Sequence, residues 1–179
     1  MSIIFGGIRQ LAMVTRDAQA AIEAWGKVGV GPFFTMRFTM DDFVYRGEPS
    51  PAPEVTLYFA HSGPLQIEIV EQHNDVPSGY TEFLASGGDG AQHVASWFSD
   101  PAVYDAKRKE LLDRGFVLVH EGASRANNAR FAYFETDLPG GMMFEIAEAL
   151  IPGVAEGIAL MDEAARNWDG RELIATAME

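Results

Sequence analysis

Cysteine is absent from the 179-residue chain, and with it go disulfides, thiolate-bound zinc, iron–sulfur clusters and a cysteine nucleophile. Any metal must sit on oxygen and imidazole. No apolar run approaches the roughly 20 residues that cross a bilayer. The opening stretch from Met1 to Gly7 is too short and uncharged for a secretory leader, so a cytoplasmic location is the expectation. Basic residues are scarce: 13 against 26 acidic ones, a formal net charge of −13. The average field repels nucleic acid and anionic membranes, and neither is expected as a partner. The same field disfavours a polyanionic substrate such as a coenzyme A ester unless a local basic patch counters it.

What is present suits an ordinary folded domain. Hydrophobic residues make up 47% and charged residues 22%, far from the composition of disordered chains. The length fits one well-buried domain, or two small halves that share a core.

The two halves repeat each other. Gln10-Leu11-Ala12-Met13-Val14-Thr15-Arg16-Asp17 parallels His93-Val94-Ala95-Ser96-Trp97-Phe98-Ser99-Asp100, each a strand running into a helix cap. Leu65-Gln66-Ile67-Glu68-Ile69-Val70-Glu71 parallels Met142-Met143-Phe144-Glu145-Ile146-Ala147-Glu148, each after a turn at Gly63-Pro64 or Gly140-Gly141. The halves differ by six residues between these matched segments, as loop variation around one repeated unit allows.

After Asp17, the residues Ala21, Ile22, Trp25 and Val28 fall at helical spacing and Gly29 stops the run. In the second half Asp100 caps a helix that begins at Pro101 and ends at Gly115. Strand patterns follow each helix: 32–38, 55–60 and 65–70, then 116–120, 130–135 and 142–147. Each half therefore reads β-α-β-β-β. Between them, 80–84 reads as a short helix, and 40–53 as a Pro-containing loop of the kind that covers a site. Beyond Pro152, residues 153–166 read as a terminal helix with Ile158, Met161 and Ala165 on one face, packed on its own barrel or on a partner subunit.

Paired modules whose first and last strands carry His or Gln and Glu resemble the vicinal oxygen chelate superfamily, which includes glyoxalases, bleomycin resistance proteins and dioxygenases. Glu68-Ile69-Val70-Glu71-Gln72, Pro77-Ser78, Phe83-Leu84 and Gln92-His93-Val94-Ala95 look most like methylmalonyl-CoA epimerase and its glyoxalase-like relatives. The resemblance spans roughly residues 8–148. It implies an α+β fold in which two modules, about 6–72 and 90–149, form a curved mixed-sheet half-barrel around a metal site, with one domain over 1–150 and a helical extension over 151–179. It implies Gln10, Glu68, His93 and Glu145 as metal ligands. Gln10 stands where an epimerase commonly has His and matches the ligand set of eukaryotic glyoxalase I. The single imidazole counts against an extradiol dioxygenase, which needs two His and one carboxylate on iron. A homodimer is a common arrangement in such families.

Two carboxylates, one imidazole and one amide oxygen suit one divalent ion such as Zn, Ni, Co, Mn or Mg. With a small carbonyl-containing substrate on that ion, a carboxylate can remove a proton next to the carbonyl, the chemistry of a metal-dependent isomerase, epimerase or lyase. Glu145 is the first candidate for the base and Glu68 the second. The competing readings are a non-catalytic, resistance-type binding protein and, third, the dioxygenase.

Taken singly, each of these four residues is unexceptional, since a Glu in an alternating strand most often faces solvent. Their weight comes from occupying equivalent positions of a repeat. His61, His73 and His120 have no such equivalents and read as structural or surface residues. His73-Asn74-Asp75 could line a pocket, and Glu48 could act as a second base. Trp25, Phe33, Phe34 and Trp97 read as core, and Met142 and Met143 as facing opposite sides of one strand.

Overall fold

The computed structural model describes residues 2–124 and 129–175. The expected repeat is realised as a mixed sheet curled into a half-barrel. The first module comprises β1 (Gln10–Val14), α1 (Ala18–Lys27), β2 (Phe34–Phe38), β5 (Val55–Ser62) and β6 (Leu65–Gln72). The second comprises β7 (Gly90–Trp97), α3 (Pro101–Asp113), β8 (Leu118–Ser124), β9 (Ala129–Phe134) and β10 (Met143–Ala147). Strand order is β2-β5-β6-β1 followed by β7-β10-β9-β8, the same order read outward from the β1–β7 seam. That seam is antiparallel, while β1–β6 and β7–β10 are parallel pairs. The first and last strands of each module therefore lie side by side at the centre of the sheet.

The helices start where their caps predict. The Asp17 carboxylate accepts the Ala20 N–H at 2.9 Å and the Asp100 carboxylate accepts the Ala102 N–H at 2.8 Å. Period-2 alternation then sorts the side chains into two layers. Ile67 and Ile69 of β6 pack beneath α1 with Ile22, and Phe144 and Ile146 of β10 pack beneath α3 with Leu111. Residues one step out of phase, among them Val14, Val70 and Met143, line the concave face. Each fully buried aliphatic side chain contributes about 1.5–3 kcal/mol. Met142 sits on the α3 side and Met143 on the concave side, as the alternation requires.

The expected loop over 40–53 is instead a hairpin, β3 (Asp41–Tyr45) and β4 (Glu48–Pro49), and β3 pairs with β8 of the second module. Only Thr39 and Met40 separate β2, on the opposite side of the sheet, from β3. A linker that short spans about 10 Å, so the two sides of the sheet are drawn toward each other, and Phe38 of β2 meets Phe131 of β9 with ring centroids 6.1 Å apart. The six-residue excess of the first half is accommodated here. Glu48 is exposed on β4 and does not line the cavity.

Helix α2 (Gly79–Ala85) links the modules. It is capped by Ser78, whose hydroxyl donates to Gln72 at 2.7 Å while accepting from Tyr80 and Thr81. Helix α4 (Val154–Asn167) begins after Gly153, whose φ of 86° makes the turn. It lies on its own barrel, against β5. The chain then returns to the first module, where Phe33 exchanges backbone hydrogen bonds with Leu173 and Ala175, both at 2.8 Å. The last four positions of the expected extension lie outside the described residues. Among the described residues no helix is long and apolar enough to cross a membrane.

Candidate metal centre

The parallel pairings put Glu68 of β6 level with Ala12 of β1, and the seam puts Ala12 level with His93 of β7. Glu145 of β10 lies level with Ala95, two residues along β7 from His93. Three strands that are distant in sequence thus deliver their polar side chains to one place on the concave face, with β1 lying between two of them. One ligand-type atom from each of Glu68, His93 and Glu145 lies within 4.8 Å of the others, and all three residues are buried. His93 Nε2 is 3.2 Å from Glu68 Oε2 and 3.3 Å from Glu145 Oε2. Ligand atoms about 2.0–2.1 Å from a common ion stand roughly 3.0–3.4 Å apart in octahedral or tetrahedral geometry, which these separations match.

A further observation fits a cation. Glu68 Oε2 is buried and has no hydrogen-bond partner among the described residues; its approach to His93 is close but badly angled. An orphaned buried carboxylate oxygen is costly unless something positive completes it.

The imidazole is held for ligation. Gln92 and His93 together stand opposite the Ala12–Met13 step, because the β1–β7 register slips there by one residue. That bulge brings the Gln92 side chain beside the ring, with Oε1 at 2.5 Å from His93 Nδ1. The Gln92 amide nitrogen donates to the Gly79 carbonyl at 3.3 Å, so its oxygen faces the ring and accepts the Nδ1–H. Nε2 is left to face the carboxylates. Burial alone would lower the His93 pKa, but the carboxylates of Glu145 and Glu68 outweigh it and lift it to about 9. The Glu145 carboxyl is raised, by burial first, against the opposing pull of His93.

Gln10 lines the same cavity as Glu68 and Glu145. Its amide nitrogen donates to Gln66 Oε1 at 2.8 Å, and Gln66 in turn donates to His61 Nε2 at 3.2 Å. His61, whose pKa is lowered by burial, hydrogen-bonds the Gly63 backbone. This relay occupies the amide nitrogen of Gln10, so the oxygen is its ligand-type atom.

Several residues at the centre have no match in the repeat. Tyr133 Oη lies 3.2 Å from His93 Nε2 and receives the hydroxyl of Tyr80 at 3.1 Å. Burial and the nearby carboxylates keep both phenols neutral. Gln66 and Gln92 join these partners; Gln66 aligns with Met143 in the repeat and so has no equivalent in type, and Gln92 was visible only within the family-like stretch Gln92-His93-Val94-Ala95. His120 is fully buried; its Nδ1 accepts the Gly79 N–H at 3.0 Å and its Nε2 has no partner among the described residues. His73 bonds Thr56 at 2.7 Å rather than lining the cavity. Phe33 and Phe34 are core, whereas Trp97 is half-buried at the cavity wall and Trp25 is half-buried on α1.

With strand order and centre in view, the chain belongs to the Glyoxalase/Bleomycin resistance protein/Dioxygenase superfamily, whose profile matches residues 9–134. No curated protein matches the chain. Among solved structures it is similar to a hypothetical protein from Bacillus halodurans C-125, at 16% identity and TM-score 0.54 over 79% of this chain and 93% of that one. It is also similar to methylmalonyl-CoA epimerase from Mycobacterium tuberculosis, at 19% identity and TM-score 0.53 over 83% and 91%. A Streptomyces coelicolor methylmalonyl-CoA epimerase variant, solved with 2-nitronate-propionyl-CoA, gives 18% identity and TM-score 0.53 over 82% and 95%. At these identities the likeness is one of fold.

Proposed function

We propose that the chain is a divalent-metal-dependent enzyme of glyoxalase or epimerase type that transfers a proton next to a carbonyl of a small organic substrate. The observation that carries this is the convergence of Glu68, His93 and Glu145 at a buried Glu68 oxygen that has no hydrogen-bond partner among the described residues. Glu68, His93, Glu145 and the oxygen of Gln10 would hold the ion, with Zn, Ni, Co, Mn and Mg all compatible with the donor set. When bound, the ion supplies stabilisation for negative charge developing on a substrate carbonyl oxygen. Glu145 is the base: burial raises its proton affinity, and it lines the cavity. Neutral Tyr133, backed by Tyr80, holds a hydroxyl at the same point and can donate to a substrate oxygen. Gln92 keeps the imidazole oriented and Gln66 keeps the amide of Gln10 oriented. On this reading the chain up to residue 150 is the catalytic unit, and α4 is the helical part of the extension that follows.

The test is metal content by elemental mass spectrometry on the untagged chain and on Glu68→Ala. Near one equivalent in the parent and little in the variant is expected; no metal in either after reconstitution would overturn the reading. The cavity's mainly apolar walls favour a second reading, a ligand-sequestering protein without chemistry. Metal-free protein that binds its ligand undiminished would support it. A dioxygenase is disfavoured by the single imidazole among the ligands.

A further inference from the structure

The cavity above the metal centre measures about 490 Å³, within the range of pockets that enclose a drug-sized molecule. Its walls are Met36, Phe38, Leu57, Phe59 and Phe131, supplied by both modules, and its roof is α4, through Gly157, Ile158 and Met161. The roof is secured at both ends. Before it, the Leu150 N–H bonds the Phe98 carbonyl at 3.1 Å; after it, the chain returns to Phe33. There, Trp168 and Leu173 sit so close on Gly31 and Gly26 that neither glycine has room for a β-carbon.

Charge on the cavity wall is one-sided. Glu68, Glu145 and Glu148 face it, and among the described lining residues Arg130 is the one cation. Arg130 is already engaged: it bonds Glu148 at 2.7 and 2.9 Å and Asp105 at 2.7 Å, and lies over the Tyr104 ring at 4.6 Å. Among these residues no unpaired cation remains to receive a phosphate or carboxylate, and the net charge of −13 opposes one. Apolar walls combined with a polar floor select a ligand that is apolar along its length and polar at one end.

Resting on the reading of the centre as a metal site, we infer that the substrate is a neutral small molecule with an aromatic or branched aliphatic body and its oxygens at one end, rather than a thioester of a phosphorylated or carboxylated carrier. The body fills the space between α4 and the sheet while the oxygens reach the floor at Glu68 and Glu145. Gly157 is the position that makes this testable. It lines the cavity, and a β-carbon added there meets no atom within 4 Å, so a larger side chain starts out in open space and grows at the expense of the ligand.

The probe is benzoin, a neutral aromatic α-hydroxy ketone, titrated calorimetrically into the metal-loaded full chain, with methylmalonyl-CoA as competitor. Benzoin should bind more tightly than methylmalonyl-CoA, and Gly157→Leu should weaken benzoin at least tenfold with metal content unchanged. Tighter binding of methylmalonyl-CoA, or benzoin affinity in Gly157→Leu within twofold of the parent, would overturn the inference. Nile red, a neutral apolar dye, is titrated into metal-free parent and Gly157→Leu in parallel. Uptake by the parent and its loss in the variant support the apolar cavity even where the chain takes up no metal, the result that defeats the functional reading alone; equal uptake by both overturns the cavity inference whatever the metal content.

Discussion

Gln92 and His93 are neighbours in sequence whose side chains meet on one face of the sheet, Oε1 of the first 2.5 Å from Nδ1 of the second. In a regular strand they would point to opposite faces; the register slip opposite Ala12 and Met13 is what lets them touch. Removing this acceptor frees the ring to rotate or to move its proton to Nε2. Gln92→Ala should therefore lower metal affinity about 10–100-fold, whereas Gln92→Glu, which keeps an acceptor oxygen, should restore most of it. Metal titration of both variants checks this, and equal affinity in parent and Gln92→Ala would remove Gln92 from the centre.

Glu68 Oε2, which has no hydrogen-bond partner among the described residues, makes opposite predictions for the metal-free and metal-loaded states. Glu68→Gln removes a buried charge while nearly preserving volume. Thermal unfolding without metal should show a Tm equal to or above the parent's. Saturating metal at about 100 times Kd should stabilise the parent by about 2.7 kcal/mol and the variant far less. A large loss of Tm in metal-free Glu68→Gln would show that the carboxylate is already satisfied.

His120 is held neutral. Burial first, then the positive charges of His93 and Arg46, lower its pKa to about 3, and its Nδ1 accepts a backbone N–H that protonation would lose. In the unfolded chain the same ring takes up a proton near pH 6.5. Between pH 6.5 and about 3 the unfolded state therefore binds more protons, and stability falls as pH falls through that window. From pH 6.5 to 5 the loss from one such group is roughly 2 kcal/mol. Denaturant unfolding of the parent and His120→Gln over this range should show a shallower pH slope in the variant; parallel slopes would count against a neutral buried ring.

The hairpin is held by two kinds of contact of unequal worth. Phe43 is buried in the concave core, and Phe43→Ala should cost about 3–5 kcal/mol. At the tip, Arg46 bonds Glu82 at 2.6 and 2.9 Å and Glu135 at 2.5 Å. These groups are about a third exposed or more, so solvent screens them and Glu82→Ala should cost under about 1 kcal/mol. Urea denaturation of the two variants tests the ranking.

Much of this fold was legible because the repeat is written in side-chain type as well as in pattern. Gln10, Glu68, His93 and Glu145 stand at matching places, and parallel pairing of first and last strands brings matching places together. In the folded sheet, alternation in 65–70 and 142–147 separates the helix-facing Ile and Phe residues from the inward carboxylates, though from sequence only Met142 and Met143 were assigned to opposite sides. The hairpin was not legible: its partner β8 is distant in sequence, Asp41 and Asp42 interrupt any alternation, and Asp42 and Arg46 take positive φ. The bulge at Gln92 escaped for a related reason, since one added residue breaks the period on which strand reading depends. Tyr133 reaches the centre through its register opposite Glu145, a cross-strand relation that no linear spacing encodes. The role of α4 as a roof depended on where the chain returns after Asn167, and the apolar face at Ile158 and Met161 was equally consistent with a partner subunit.

The β3–β4 hairpin also changes what the sheet offers to other molecules. Unpaired strand edges invite pairing by a second chain, and proteins blunt them with short strands, proline and charge. Here the margin beyond β8 is capped by β3 and ends in a two-residue strand, Glu48–Pro49, which brings a negative charge and a residue without an N–H. Growth of the sheet by strand addition is blocked at that margin, so fibril-like stacking of copies through it is disfavoured.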